Sequence, residues 1–116
     1  EKKQRKALDL YQDLLALKEP PMRILFLLAR QFNLLLQVKE LLADHCDQAT
    51  IARRTGLQSF VVRNYIPMSR QYTAEELKEA VRDCVQMEED VKTGKISDLL
   101  SVELLITKYS KAEERR

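Results

Sequence analysis

The residues best suited to binding chemistry run from Gln48 to Tyr65, QATIARRTGLQSFVVRNY. Ala52 allows two helices to approach closely, Gly56 four residues later makes a tight turn, and Leu57 plugs the corner. Ile51, Val62 and Tyr65 fall on the inward side. That spacing is the helix-turn-helix signature. Used to read DNA, the second helix would turn Gln58, Ser59, Phe60, Arg63 and Asn64 toward base edges, with Arg53 and Arg54 on phosphates. The same spacing serves any two short helices that meet at a steep angle, and Phe60-Val61-Val62 is apolar for a helix entering a groove. Both readings stand on spacing alone.

A second candidate lies upstream. Arg30 and Gln31 interrupt the most apolar stretch of the chain. A charge placed there must reach water, a carboxylate or a carbonyl, so it forms a structural ion pair or faces a neighbouring subunit. The polar stripe it belongs to runs through Arg23, Arg30, Asn33, Gln37, Glu40 and Asp44, and Arg30, Gln31 and Gln37 are its candidate interface residues.

Catalytic and metal chemistry find little to work with. His45, Cys46, Asp47 and the distant Cys84 are too few ligands at the wrong spacing for a metal site. Cys84 reads as a small buried hydrophobe and His45 as a solvated loop residue. There is no glycine-rich phosphate loop, and no nucleophile–base pair can be argued for the single His, His45. Glu88, Glu89 and Asp90 point in different directions on a helix and read as a solvated face. No catalytic residue, cofactor site or metal site is expected.

Composition agrees with a domain that binds rather than reacts. The 116 residues include 45% hydrophobic and 33% charged types but only two Gly and three Pro, which favours long helices joined by short loops. One core is expected without help from metal or disulfides. Net charge is +2, which excludes the strongly basic class. Its distribution is uneven: Arg53, Arg54, Arg63 and Arg70 oppose only Asp47, whereas Glu75 to Asp90 holds seven acids against Lys78 and Arg82. Cys46 and Cys84 form no CxxC and no signal peptide is visible, so reduced thiols and a cytoplasmic location are expected. The apolar run Ile24 to Ala29 is too short to span a bilayer, and no membrane partner is expected. A start at Glu1 rather than Met suggests a piece of a longer protein.

Six helices must position these residues. Ala7, Leu10, Tyr11, Leu14 and Leu17 make one stripe of an amphipathic helix over 3–18, which Pro20 and Pro21 end. A second helix, about 21–44, is apolar on most of its circumference and is the expected spine. Gln48–Thr55 is a short helix stopped by Gly56. The next runs from Phe60 to about Arg70, capped by Ser59, with Pro67 expected to kink or end it early. Thr73 and Glu76 form a capping-box signature that opens a helix to about Thr93, with Leu77, Ala80, Val81, Cys84, Val85, Met87 and Val91 as its apolar face and Gly94 as its stop. Ile96 to Tyr109 makes the last helix, capped by Ser97 or Asp98, and the charged tail after Ser110 is expected to fray. The expected fold is all-α, a single compact bundle of about six helices containing a helix-turn-helix-like pair.

Three segments together, LLARQFNLLLQVKELL, QATIARRTGLQSFVVRNY and EDVKTGKISDLLSVELLI, resemble the C-terminal domain of the bacterial DNA polymerase III delta subunit. The likeness covers nearly the whole chain, including Glu19-Pro20-Pro21, Ala29 to Gln31 and Lys92-Thr93-Gly94. The order and spacing of these pieces carry it, since each alone is weak. The resemblance implies that residues 1–116 are the oligomerisation, or collar, domain of clamp-loader delta. The ATPase-like N-terminal domains, and the element that grips the sliding clamp, would then lie outside this chain. It implies as partners the motor (gamma/tau) and delta-prime subunits, and primed DNA through the assembled loader. It also implies no active site here, in a subunit of a polymerase holoenzyme that is a nucleotidyltransferase as a complex. Under it the helix-turn-helix-like pair is structural or contacts neighbouring subunits; the competing reading is a DNA-binding module of a transcriptional regulator. Pro67 departs from the family pattern by falling where the helix should continue.

Overall fold

Pro21 starts the helix that organises the molecule. Its missing N–H costs nothing at the first helical position, and the carbonyl of Pro20 accepts from the N–H groups of Arg23 and Ile24 at 3.0 and 3.2 Å. The computed structural model describes residues 19–114, with side chains through Tyr109. Its five helices are α1 (Pro21–Ala43), α2 (Gln48–Thr55), α3 (Ser59–Arg70), α4 (Ala74–Lys92) and α5 (Asp98–Glu114), and no strand occurs among the described residues. The architecture is thus all-α, with five described helices rather than about six. The amphipathic helix expected over 3–18 lies outside the described residues.

α1 is the spine, packed against each of the other four helices. Its residues Ile24, Leu25, Leu28, Phe32 and Leu35 recur at three- and four-residue steps and enter one core with Leu77, Ala80 and Cys84 of α4 and Val102, Leu105, Ile106 and Tyr109 of α5. Tyr72, in the connection before α4, completes it. The Phe32 ring meets Tyr72 edge-on, centroids 6.2 Å apart, and Tyr109 in a tilted contact at 5.1 Å. A smaller cluster of Val38, Ile51 and Val62 joins the end of α1 to α2 and α3, and Tyr65 packs against both clusters.

Several local expectations change. α3 reaches Arg70 as expected, so Pro67 does not end it early. The proline deprives only the Arg63 carbonyl of a partner, and Arg63 lies on the exposed side where water can replace it. The last turn is meanwhile anchored by packing: Ser69 is fully buried, its hydroxyl donates to the Ile66 carbonyl at 2.8 Å, and its own carbonyl accepts from Lys39 Nζ at 3.2 Å. Ser59 is the first helical residue rather than the cap; Gln58, extended at φ −72°, ψ 151°, takes the cap position without a side-chain bond. Val85, expected on the apolar face of α4, is 61% exposed, because it sits about 100° round the helix from Cys84, beyond the seam with α1. α5 extends to Glu114, through Lys, Ala and Glu, which are strong helix formers.

The capping box at α4 is formed in full. Glu76 N–H donates to Thr73 Oγ1 at 3.0 Å, and Thr73 N–H donates to Glu76 Oε1 at 2.8 Å. Thr73→Ala removes the first of these bonds, and a stability loss of about 1 kcal/mol is expected by chemical denaturation. A loss below the error of that measurement would mean water replaces the cap without cost. At α5 the choice resolves to Ser97, whose Oγ accepts from Leu100 N–H at 3.2 Å.

Candidate functional site

α2 and α3 form the helix-turn-helix-like unit, and each part of its corner has a local cause. Asp47 caps α2, its Oδ1 accepting from Thr50 N–H at 2.9 Å. Hydrogen bonds from the Thr50 side chain and backbone hold the Asp47 carboxyl below its ordinary range. Gly56 takes the left-handed conformation, φ 77°, and its N–H donates to the Ala52 carbonyl at 2.9 Å. Thr55 Oγ1 donates to the Ile51 carbonyl at 2.8 Å and accepts from Leu57 N–H at 3.3 Å, which ties the plug residue to the helix end. Gln48 Nε2 reaches the Ser59 carbonyl at 3.2 Å, so the first residues of the two helices are clamped together.

This scaffold buries Ile51 and Val62 completely and half-buries Leu57 and Tyr65. On its other side Arg53, Arg54, Gln58, Ser59, Phe60, Arg63 and Asn64 are all exposed. The residues singled out by motif spacing are thus all open to solvent. Arg70 joins them: it is seven residues after Arg63 and therefore on the same helical stripe, a signal present in the sequence but outside the motif.

The second candidate set divides. Arg30 is exposed, and Gln37, seven residues on, shares its stripe while being half-buried; Gln31 is half-buried and about 100° away round α1. Arg30 instead neighbours the solvent-facing Phe26, which is 65% exposed, in a wide, open depression completed by Ala29, Asn33 and Val81. Beside it a recess of about 70 Å³ is lined by Met22, Leu25, Phe26, Ala29, Cys84, Val85 and Glu88. That volume is far below the several hundred Å³ of a small-molecule pocket. Further exposed apolar residues, missed by the sequence reading because they continue a buried helix pattern, are Leu99, Leu100 and Leu104 of α5, each 46% exposed.

One polar cluster bridges α4 and α5. Lys108 Nζ donates to Glu79 Oε2 and to Asp83 Oδ2, both at 2.7 Å, and Tyr109 OH donates to Asp83 Oδ2 at 2.6 Å. Its hydrogen bonds raise the Lys108 pKa, while burial, followed by the Asp83 bond, raises that of Tyr109. Cys84 nearby is pushed up to about 12, first by burial and then by the Asp83 charge, so it stays a protonated and unreactive thiol at neutral pH. The cluster therefore holds two helices together. Among the described residues no three His, Cys, Asp or Glu gather as a metal site, and no helix is long and apolar enough to cross a membrane.

Residues 1–109 match the family of the DNA polymerase III delta subunit, C-terminal domain. The chain belongs to that family. Among curated relatives of this delta C-terminal domain, the DNA polymerase III subunit delta of Bacillus subtilis (strain 168) is 30% identical over 114 residues, which is 98% of this chain and 33% of the relative. Among solved structures, the DNA clamp loader delta protein of Bacillus subtilis superposes with a TM-score of 0.80 at 28% identity, over 94% of this chain and 31% of that one. The chain thus spans about a third of the length of the delta proteins it matches. The family match covers the helix-turn-helix-like unit and extends far beyond it on both sides.

Proposed function

We propose that this delta C-terminal domain is a non-catalytic assembly domain of the DNA polymerase III clamp loader. It holds delta against the motor (gamma/tau) and delta-prime subunits, so that the sliding clamp can be loaded on primed DNA during replication. Contact with the clamp would fall to the remaining two-thirds of the subunit. The observation that carries the reading is apolar surface left outside a core that is already closed. Phe26 and Val85 lie on one side, and Leu99, Leu100 and Leu104 lie along α5, each close to half or more exposed. Single exposed apolar residues are ordinary, but Leu100 and Leu104 are one turn apart and form a continuous ridge suited to a partner helix.

The test is the mass in solution of the 116-residue chain, alone and mixed with the C-terminal domains of motor and delta-prime subunits at physiological salt. A mixed complex is expected, and Leu100→Glu with Leu104→Glu should abolish it while leaving the helical circular dichroism unchanged. If the unaltered chain forms no complex under conditions where full-length delta does, the assembly role is wrong.

A further inference from the structure

We propose that the exposed face of α2 and α3 binds duplex DNA, chiefly through its phosphates. This goes beyond the assembly role and rests on a different surface. Residues 48–74 contain four arginines and no acid, although 18 acids in 116 residues would place about four in a stretch of that length. The fold leaves all four arginines exposed. Arg53 and Arg54 are exposed at the end of α2, and Arg63 and Arg70 are exposed on one stripe of α3.

None of the four arginines forms an ion pair among the described residues. The acid that begins the unit, Asp47, caps α2, and of the four arginines Arg53 also acts on its charge. Favourable interaction with a helix C-terminus accounts for Arg53, Arg54 and Arg70 in their last turns. It does not account for Arg63 in the body of α3, nor for the exposed hydrogen-bonding residues Gln58, Ser59 and Asn64 around it.

The geometry favours a duplex over a single strand. Single-strand grooves use several aromatic residues as stacking platforms, and here Phe60 is the exposed aromatic of the face. Arg63 and Arg70 stand about 10 Å apart along the helix axis, well over the 3.4 Å rise between nucleotides of one strand, so they address separate phosphates. Phe60, 53% exposed at the start of α3, takes a position where a base-reading helix needs donors and acceptors, so sequence preference is weak.

The experiment is fluorescence anisotropy of a labelled duplex of mixed sequence, titrated with the 116-residue chain between about 50 and 200 mM salt. Four phosphate contacts give an expected slope of log affinity against log salt of about −3.6, and Arg63→Ala should reduce its magnitude by about one. Replacing all four arginines by Ala should remove binding. Arg82→Ala, an exposed arginine on α4, should leave binding unchanged. Circular dichroism checks that each variant keeps its fold. Absence of salt-sensitive binding, or retention of it by the fourfold variant, overturns the proposal. So does a fourfold variant that loses only complex formation with loader subunits, since the face would then be a protein contact. Loss of DNA binding with an intact subunit complex separates this surface from the α5 ridge.

Discussion

Phe32→Ala is expected to lower the unfolding free energy by about 3–5 kcal/mol, the largest effect of any single truncation considered for this fold. Phe32 is 2% exposed and its ring joins three elements: α1, on which it sits, the connection bearing Tyr72, and α5 through Tyr109. Truncation loses the transfer energy of the ring, leaves a cavity that rigid neighbours fill only in part, and abolishes both ring contacts. Against a total stability of about 5–15 kcal/mol the loss is a large fraction, and thermal unfolding should fall by roughly 4–8 °C for each kcal/mol in a domain near this size. Phe26→Ala supplies the contrast. It is the same substitution on the same helix, but at 65% exposure it should change stability by no more than about 0.5 kcal/mol. Thermal and urea denaturation of the two variants decide the matter, and equal losses would mean that α1 is not seated as described.

Asp83→Ala should cost about 1–3 kcal/mol, because it leaves the hydroxyl of Tyr109, a residue 3% exposed, without its acceptor. The exposed half of the cluster, between Lys108 and Glu79, contributes little in comparison. Removing the hydroxyl as well should recover part of the loss, so the double variant Asp83→Ala with Tyr109→Phe is expected to be more stable than Asp83→Ala alone. Additive losses in that cycle would show that the hydroxyl is satisfied by some other partner.

The same region sets an alkaline limit. Cys84 and Tyr109 both have folded pKa values raised above their ordinary values of 9.0 and 10.0, Cys84 to about 12. A raised folded value contributes stability that is complete below the unfolded pKa and is lost as pH rises toward the folded one. Stability should therefore be flat to about pH 9 and decline between about 9 and 12. Cys84→Ala should remove the earlier part of that decline, and an unchanged profile would mean the thiol does not titrate with unfolding.

Much of this molecule follows from local rules. The Thr73–Glu76 capping box, the Gly56 turn and the Pro21 start were legible because each depends on residues within four positions of one another. The inward set Ile51, Val62 and Tyr65 was legible for a different reason: it spans more than ten residues, but motif spacing specifies which sides of two short helices meet. An early end at Pro67 is not what the structure shows, because the last turn of α3 is held from outside the helix: the Ser69 carbonyl accepts from Lys39 of α1, thirty residues away in sequence. The Asp83–Lys108–Tyr109 cluster was not foreseen at all, since its partners are 25 and 26 residues apart and nothing local links them.

The sequence by itself determined that the chain is helical, where most helices begin and end, which family it resembles, and which polar residues stand out against their surroundings. Periodicity, caps and breakers act over one or two turns, so their outcome is written in adjacent residues. Only the tertiary structure decided that Phe32 is core and Phe26 is surface, although both lie on one apolar helix. It also decided that Val85 and the α5 leucines face outward while Cys84 is sealed. Burial depends on which side of a helix meets a neighbour, and that neighbour is supplied by residues distant along the chain.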